Sequence, residues 1–144
     1  MMFAEDQAEF EKFKPPTKPI YALVSSMDSM FLLRRGLSEL MTPQAAKAKV
    51  YADKAVVELG RLSDLYSNAI VDRGTIIGLW EYDPEAASIV WTTFGTADKG
   101  LREAVGRTEA YICDQLGDAR SFSLDSPKSR IPRIEALRKA QKRR

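Results

Sequence analysis

A chain of 144 residues, 44% of them hydrophobic and with only eight glycines and seven prolines, is sized and composed for one globular core. It has no histidine and a single cysteine, Cys113, which excludes Ser-His-Asp and Cys-His catalysis, an internal disulfide and a thiolate zinc site. The formal charge of +2 hides an uneven layout: residues 120–144 carry nine Lys/Arg against Asp125 and Glu135, whereas residues 1–119 carry 13 against 18 acids. Such a basic end suits a nucleic-acid contact, although a solvated terminus is its commoner cause. No apolar run is long enough to span a bilayer and the first residues are acidic, so a soluble, cytoplasmic protein without a membrane partner is expected.

In chain order, "FAEDQAEFEKFK" has a weak helical pattern with Phe3, Phe10 and Phe13 as candidate anchors. "KPPTKP" then fixes φ and removes amide donors, making Lys14–Pro19 an extended linker. Residues 1–19 therefore form a helix and linker, 20–138 a single domain and 139–144 a basic tail. Ile20–Val24 is rich enough in β-formers for a short strand, and the spacing of Met30, Leu33, Leu37 and Leu40 predicts a helix from about Asp28. Pro43, after Thr42, suits the first turn of a further helix reaching about residue 52. "AVVEL" leaves 54–59 open to helix or strand, and "GRLSDLYSN" reads as loop.

The segment "AIVDRGTIIGLWEYDPEAASIVWTTFG", residues 69–95, reads as an antiparallel meander. Gly74 suits the left-handed position of a three-residue turn that sets Val71 opposite Thr75. A second turn over Asp83–Ala86 pairs Trp80 with Ile89 and Gly78 with Trp91. Alternation then places Ile70, Ile76, Gly78, Trp80, Tyr82, Ile89 and Trp91 on one face, and Ala69, Val71, Ile77, Leu79, Val90 and Phe94 on the other. Both faces are apolar, so both call for cover by helices or by a partner. The fold class is α+β, a β-meander at about 69–94 with flanking helices. Leu101, Val105, Thr108 and Ile112 mark a helix after Gly100, with Gly117 at its C-terminal cap and Cys113 a buried thiol. A last helix begins near Pro132, anchored by Ile134 and Leu137. Among the acids around the turns, Glu81 is the one whose strand environment suits a raised pKa and carboxylate chemistry.

The stretches "SSMDSMFLLRRGLSELM", "NAIVDRGTIIGLWEYDPEAASIVW" and "QLGDARSFSLDSPKSRIPRIEALRKA", in this order, resemble the C-terminal region of AlkZ-like winged-helix DNA glycosylases over roughly residues 20–138. The resemblance implies bacterial proteins that remove alkylated bases or unhook crosslinks, with tandem winged-helix units followed by a β-rich end; this chain is similar to that end alone. Their catalytic Gln-x-Gln or Gln-x-Asp motif has no counterpart at Gln7, Gln44, Gln115 or Gln141, so no catalytic residue carries over. The chain is then a truncated or split relative, or the terminal portion of a longer protein.

Two functions follow. In the first, the chain is a noncatalytic nucleic-acid-binding module without cofactor or metal, contacting DNA phosphates through Lys128, Arg130 and Arg133, and less directly Arg34, Arg35 and Arg73. In the second it is an interaction module whose apolar ribbon packs on a separately encoded winged-helix protein or on a second copy.

Overall fold

The computed structural model describes residues 3–34, 36–116 and 126–142. The architecture is α+β: a four-stranded antiparallel sheet in the order β1-β4-β5-β6, a separate two-stranded hairpin, and helices on both faces of the sheet. The strands are β1 (Tyr21–Val24), β2 (Lys49–Ala52), β3 (Ala55–Glu58), β4 (Asn68–Asp72), β5 (Thr75–Asp83) and β6 (Ser88–Thr93). The helices are α1 (Gln7–Lys12), α2 (Ser29–Leu32), α3 (Pro43–Ala46), α4 (Lys99–Tyr111) and α5 (Pro127–Gln141). Among the described residues no helix is long and apolar enough to cross a membrane.

The meander is present, with two changes of register. Asp72 pairs with Thr75, so the first turn has two residues, Arg73 and Gly74, both with positive φ (48° and 86°), and not three. That pattern matches the right-handed twist of the flanking strands. In the second hairpin Trp80 pairs with Trp91 and Tyr82 with Ile89, two residues away from the expected partners. Asp83 is drawn into the ladder opposite Ser88, while its Oδ1 accepts the N–H groups of Glu85 and Ala86 at 3.0 and 3.3 Å and so nucleates the four-residue loop. A shift of two preserves side-chain faces, so the division into two apolar surfaces survives it.

Only Ile76 and Ile77 exchange faces. A bulge between Ile70 and Val71 opposes Ile70 to Gly78 and Val71 to Ile76, leaving Ile77 as the extra residue and reversing alternation there. Gly78 belongs to this irregularity, since an added Cβ would lie 2.3 Å from the Thr92 carbonyl oxygen on β6. A bare strand position next to a bulge thus marks close backbone approach, and the tryptophan-over-glycine pair is not formed.

Both faces are covered by this chain. One packs Ile70, Trp80, Tyr82 and Ile89 against Leu101, Val105 and Ile112 from α4 and the turn after it. The other packs Ala69, Val71, Ile76, Leu79 and Val90 against Ile134 and Leu137 of α5 and against Phe31, Leu37, Leu40, Met41 and Ala45. Asp98 caps α4 by accepting the Leu101 N–H at 2.8 Å, and Tyr21 on edge strand β1 donates its hydroxyl to the same carboxylate at 2.8 Å. The free edge of β6 is guarded by Glu109, whose carboxylate accepts the Ile89 N–H at 2.6 Å.

Four expectations fail. Asp28 caps α2 as expected, but the helix stops at Leu32. Gly36 costs a helix about 1 kcal/mol relative to alanine, and ending the helix early lets Phe31, Leu37 and Leu40 be buried while Leu33 stays outside. The helix after Thr42 ends at Ala46, because Asp53 and Lys54 take positive φ (46° and 64°) and turn β2 into β3 as a hairpin of valines and Tyr51. Finally, α5 begins at Pro127, capped by Ser126, and carries Pro132 inside it. The expected cap at Gly117 lies outside the described residues. Cys113 is exposed, beyond the buried stripe of α4, with its Sγ 3.4 Å from the Ala87 carbonyl oxygen.

Gly78→Ala is expected to lower the unfolding free energy by about 1–3 kcal/mol in urea denaturation, the range for forced overpacking, whereas Gly106→Ala, with nothing within 4 Å of the new Cβ, leaves it unchanged or raises it. The Tyr21–Asp98 bond gives a second expectation. The Leu101 N–H and the Tyr21 hydroxyl hold Asp98 below its ordinary 3.8, and the bond to Asp98 raises Tyr21 above 10.0. The stabilisation from Asp98 is complete above its ordinary value and is lost as pH falls through the depressed one. That from Tyr21 is complete below 10.0 and is lost as pH rises through the raised value. Melting temperatures of Tyr21→Phe should fall below those of the parent at neutral pH and converge with them at both extremes.

Candidate functional site

Alternation along β5 sends Leu79, Glu81 and Asp83 to the same face, the one that α5 covers. From α5, residues 130, 133, 134 and 137 fall on one side of the helix, so Arg130 and Arg133 enter the sheet interface alongside Ile134 and Leu137. The result is a cluster of charge inside the core. Arg130 is fully buried, Glu81 is 1% exposed and Asp83 5%. Arg133 Nε lies 2.6 Å from Glu81 Oε1, Arg138 pairs with Asp83, and the Arg130 guanidinium approaches the Tyr82 carbonyl oxygen at 3.5 Å. Arginine suits these positions because its planar fork donates in several directions and stays charged when desolvated.

The cluster bears directly on the residues expected to touch phosphate. Arg130 and Arg133 point into the fold, and a guanidinium sealed between helix and sheet is not offered to a ligand. Arg73 is half-exposed but engaged, bonding Asp72 through Nε and Nη2 at 3.1 and 2.9 Å and the carbonyls of Pro16 and Thr17 through Nη1. Burial pushes Asp72 up, yet the Arg73 guanidinium and the Ile20 N–H outweigh it and hold the carboxyl below its ordinary value. Arg34 is half-exposed, 3.7 Å from the exposed Glu39, a solvent-screened pair. Arg35 lies outside the described residues. Lys128 stands on the surface as expected, joined on α5 by the exposed Lys139 and Lys142, which sequence reasoning missed. The signal for them was present: once Ile134 and Leu137 define the inner side, positions 128, 135, 139 and 142 fall on the outer one.

Glu81, the carboxylate candidate, is paired with Arg133 and closed off by α5, so no substrate reaches it in this fold. Among the described residues no group of three His, Cys, Asp or Glu is placed to hold a metal ion. A cleft of about 270 Å³ opens beside Tyr21, Thr42, Gln44 and Asp72, and its polar groups are already used: Thr42 caps α3, Gln44 donates to the Phe94 carbonyl, and Asp72 and Tyr21 have the partners given above. The apolar faces of the ribbon, expected to need cover by helices or a partner, are packed by α4 and α5 of this chain. No family model, curated protein or solved structure matches this chain.

Removing one partner from a buried ion pair costs about 3–5 kcal/mol, whereas replacing both by apolar groups of similar size is often neutral. Glu81→Leu should therefore lower the urea-unfolding free energy by that amount, and Glu81→Leu combined with Arg133→Met should recover most of the loss. A double-mutant cycle with no coupling between the two sites would show that the pair does not fasten α5.

Proposed function

We propose that the chain is a noncatalytic nucleic-acid-binding module, of the kind that ends AlkZ-like winged-helix DNA glycosylases, contacting the phosphate backbone through the outer face of α5. One observation supports this reading. The buried Arg133 and the half-exposed Arg138, paired with Glu81 and Asp83, hold α5 in a fixed orientation and turn Lys128, Lys139 and Lys142 to solvent, with Glu135 the acid among the exposed side chains of that helix. A pinned row of ammonium groups meets successive phosphates and releases counterions without ordering a flexible tail. Nothing in the described fold suits base readout, so binding is expected to be indifferent to sequence.

Fluorescence anisotropy with a short duplex at low salt checks this. Lys128→Ala, Lys139→Ala and Lys142→Ala together should weaken binding at least tenfold and flatten the dependence of log K on log salt by roughly 2–3, about 0.9 for each phosphate that is no longer neutralised. A parent protein that leaves the duplex unbound at low salt would remove the proposal.

A further inference from the structure

The turn between β4 and β5 is closed by a residue that its backbone does not favour. Arg73 and Gly74 both take positive φ, 48° and 86°, a conformation that selects Asn-Gly, and at the first of these positions a Cβ sits too close to the following carbonyl. The arginine side chain is fully engaged there. Its Nε and Nη2 grip the two oxygens of Asp72 at 3.1 and 2.9 Å, and its Nη1 reaches the carbonyls of Pro16 and Thr17 at 3.3 and 3.1 Å. The Arg73 N–H donates to the Ile20 carbonyl at 3.3 Å, and Asp72 Oδ1 accepts the Ile20 N–H at 2.9 Å. Two adjacent residues thus hold four backbone groups of residues 16–20.

The segment so held has little else to hold it. Residues 11–20 are exposed throughout, α1 buries none of its residues, and none of the four residues of β1 is buried. Pro15, Pro16 and Pro19 have no N–H to give to a ladder. Edge strand β1 is tied by the Tyr21 hydroxyl to Asp98 and, past its last residue, by the Ser26 N–H to Asn68 Oδ1 at 3.0 Å. The core lies elsewhere, with Ile70, Ile76, Leu79 and Trp80 buried on β4 and β5. A segment with little buried surface and a few discrete ties opens before the rest of a fold.

We propose that Arg73 is the buckle of a strap: it fastens residues 14–24, linker and edge strand together, to the β4–β5 turn, and its release lets them peel from Ile20 toward Ser25 while β4, β5, β6 and the helices on them stay folded. Arginine suits the task because its planar fork serves both carboxylate oxygens and keeps a further nitrogen for the two carbonyls, which an ammonium cannot do in one fixed geometry. The use answers the backbone strain, since a residue held in a sparsely populated conformation persists where its surroundings over-determine it. Peeling leaves the β4 edge with unpaired backbone groups, so the strap decides whether the sheet presents that edge. It shares no residue with the outer face of α5 and does not rest on the nucleic-acid reading.

Native-state hydrogen exchange in increasing urea tests it, read by mass spectrometry on peptides covering residues 14–24 and 75–83. In the parent, the amides of Ile20–Val24 should be protected about tenfold less than those of β5, or weaker still, and should exchange through an opening with little urea dependence, because little surface is exposed. The direction of the effect of Arg73→Asn separates a buckle from a turn residue. Asparagine suits positive φ better than arginine, so a residue that matters to the turn alone would be improved and exchange over Ile20–Val24 would slow; with the buckle removed it should rise about tenfold or more. Arg73→Lys, which keeps the charge and loses the fork, should raise it as well. Parent amides of Ile20–Val24 that share the protection and urea dependence of β5 overturn the proposal, as does either variant in which their exchange is not accelerated.

Discussion

The contact on which the arrangement depends is the meeting of β5 with α5 through charge. Glu81 and Asp83, two apart on a strand, present carboxylates to one face; Arg133 and Arg138 meet them from the helix, and Arg130 reaches the Tyr82 carbonyl between them. Desolvating such groups costs several kcal/mol each, and a wholly aliphatic interface would avoid that cost. What aliphatic packing does not supply is register. Ile134 and Leu137 alone would tolerate rotation or a slide by one turn, whereas Arg133 and Arg138 have their carboxylates, and Arg130 the Tyr82 carbonyl, at one position only. The ion pairs decide which turn of α5 sits over which residue of β5.

That constraint also sorts the basic charge near the end of the chain into two populations with different work. The inward arginines are structural, and the outward lysines remain available to solvent and ligands. The chemistry matches the division: guanidinium inside, where several donors must be satisfied in a fixed geometry, and ammonium outside, where hydration is strong and contact with a phosphate is that of a point charge. A count of basic residues cannot separate the two sets, because both contribute equally to net charge.

The same division explains how much was legible in the sequence. The sheet was readable because its alternation over Ala69–Phe94 is apolar on both sides, and a shift of two in pairing leaves faces unchanged. The helix of Leu101, Val105 and Ile112 was readable from its period, and the caps at Asp28 and Thr42 from their residue types. The exchange of Ile76 and Ile77 was not, since a bulge is set by the approach of Thr92 to Gly78, a contact between strands. Nor was the inward face of α5: periodicity searches for apolar residues, and half of that face is arginine. The acids that receive them lie about 50 residues earlier, so only the folded sheet shows that Arg130 and Arg133 are committed to the core. On the candidate phosphate-binding surface, Lys128 was legible as charge, and its companions Lys139 and Lys142 follow once the helix phase is fixed by Ile134 and Leu137.

A single row of three lysines is a weak phosphate contact, because each exposed ammonium gains little beyond counterion release and salt erodes the sum. That sum depends on rigidity, since a row that swivels loses it to orientational entropy. The buried Glu81–Arg133 pair and the half-exposed Asp83–Arg138 pair supply that rigidity by keeping α5 on its sheet. The interior charges of this fold thus act on its exterior charges through geometry, by fixing the direction in which the lysines face.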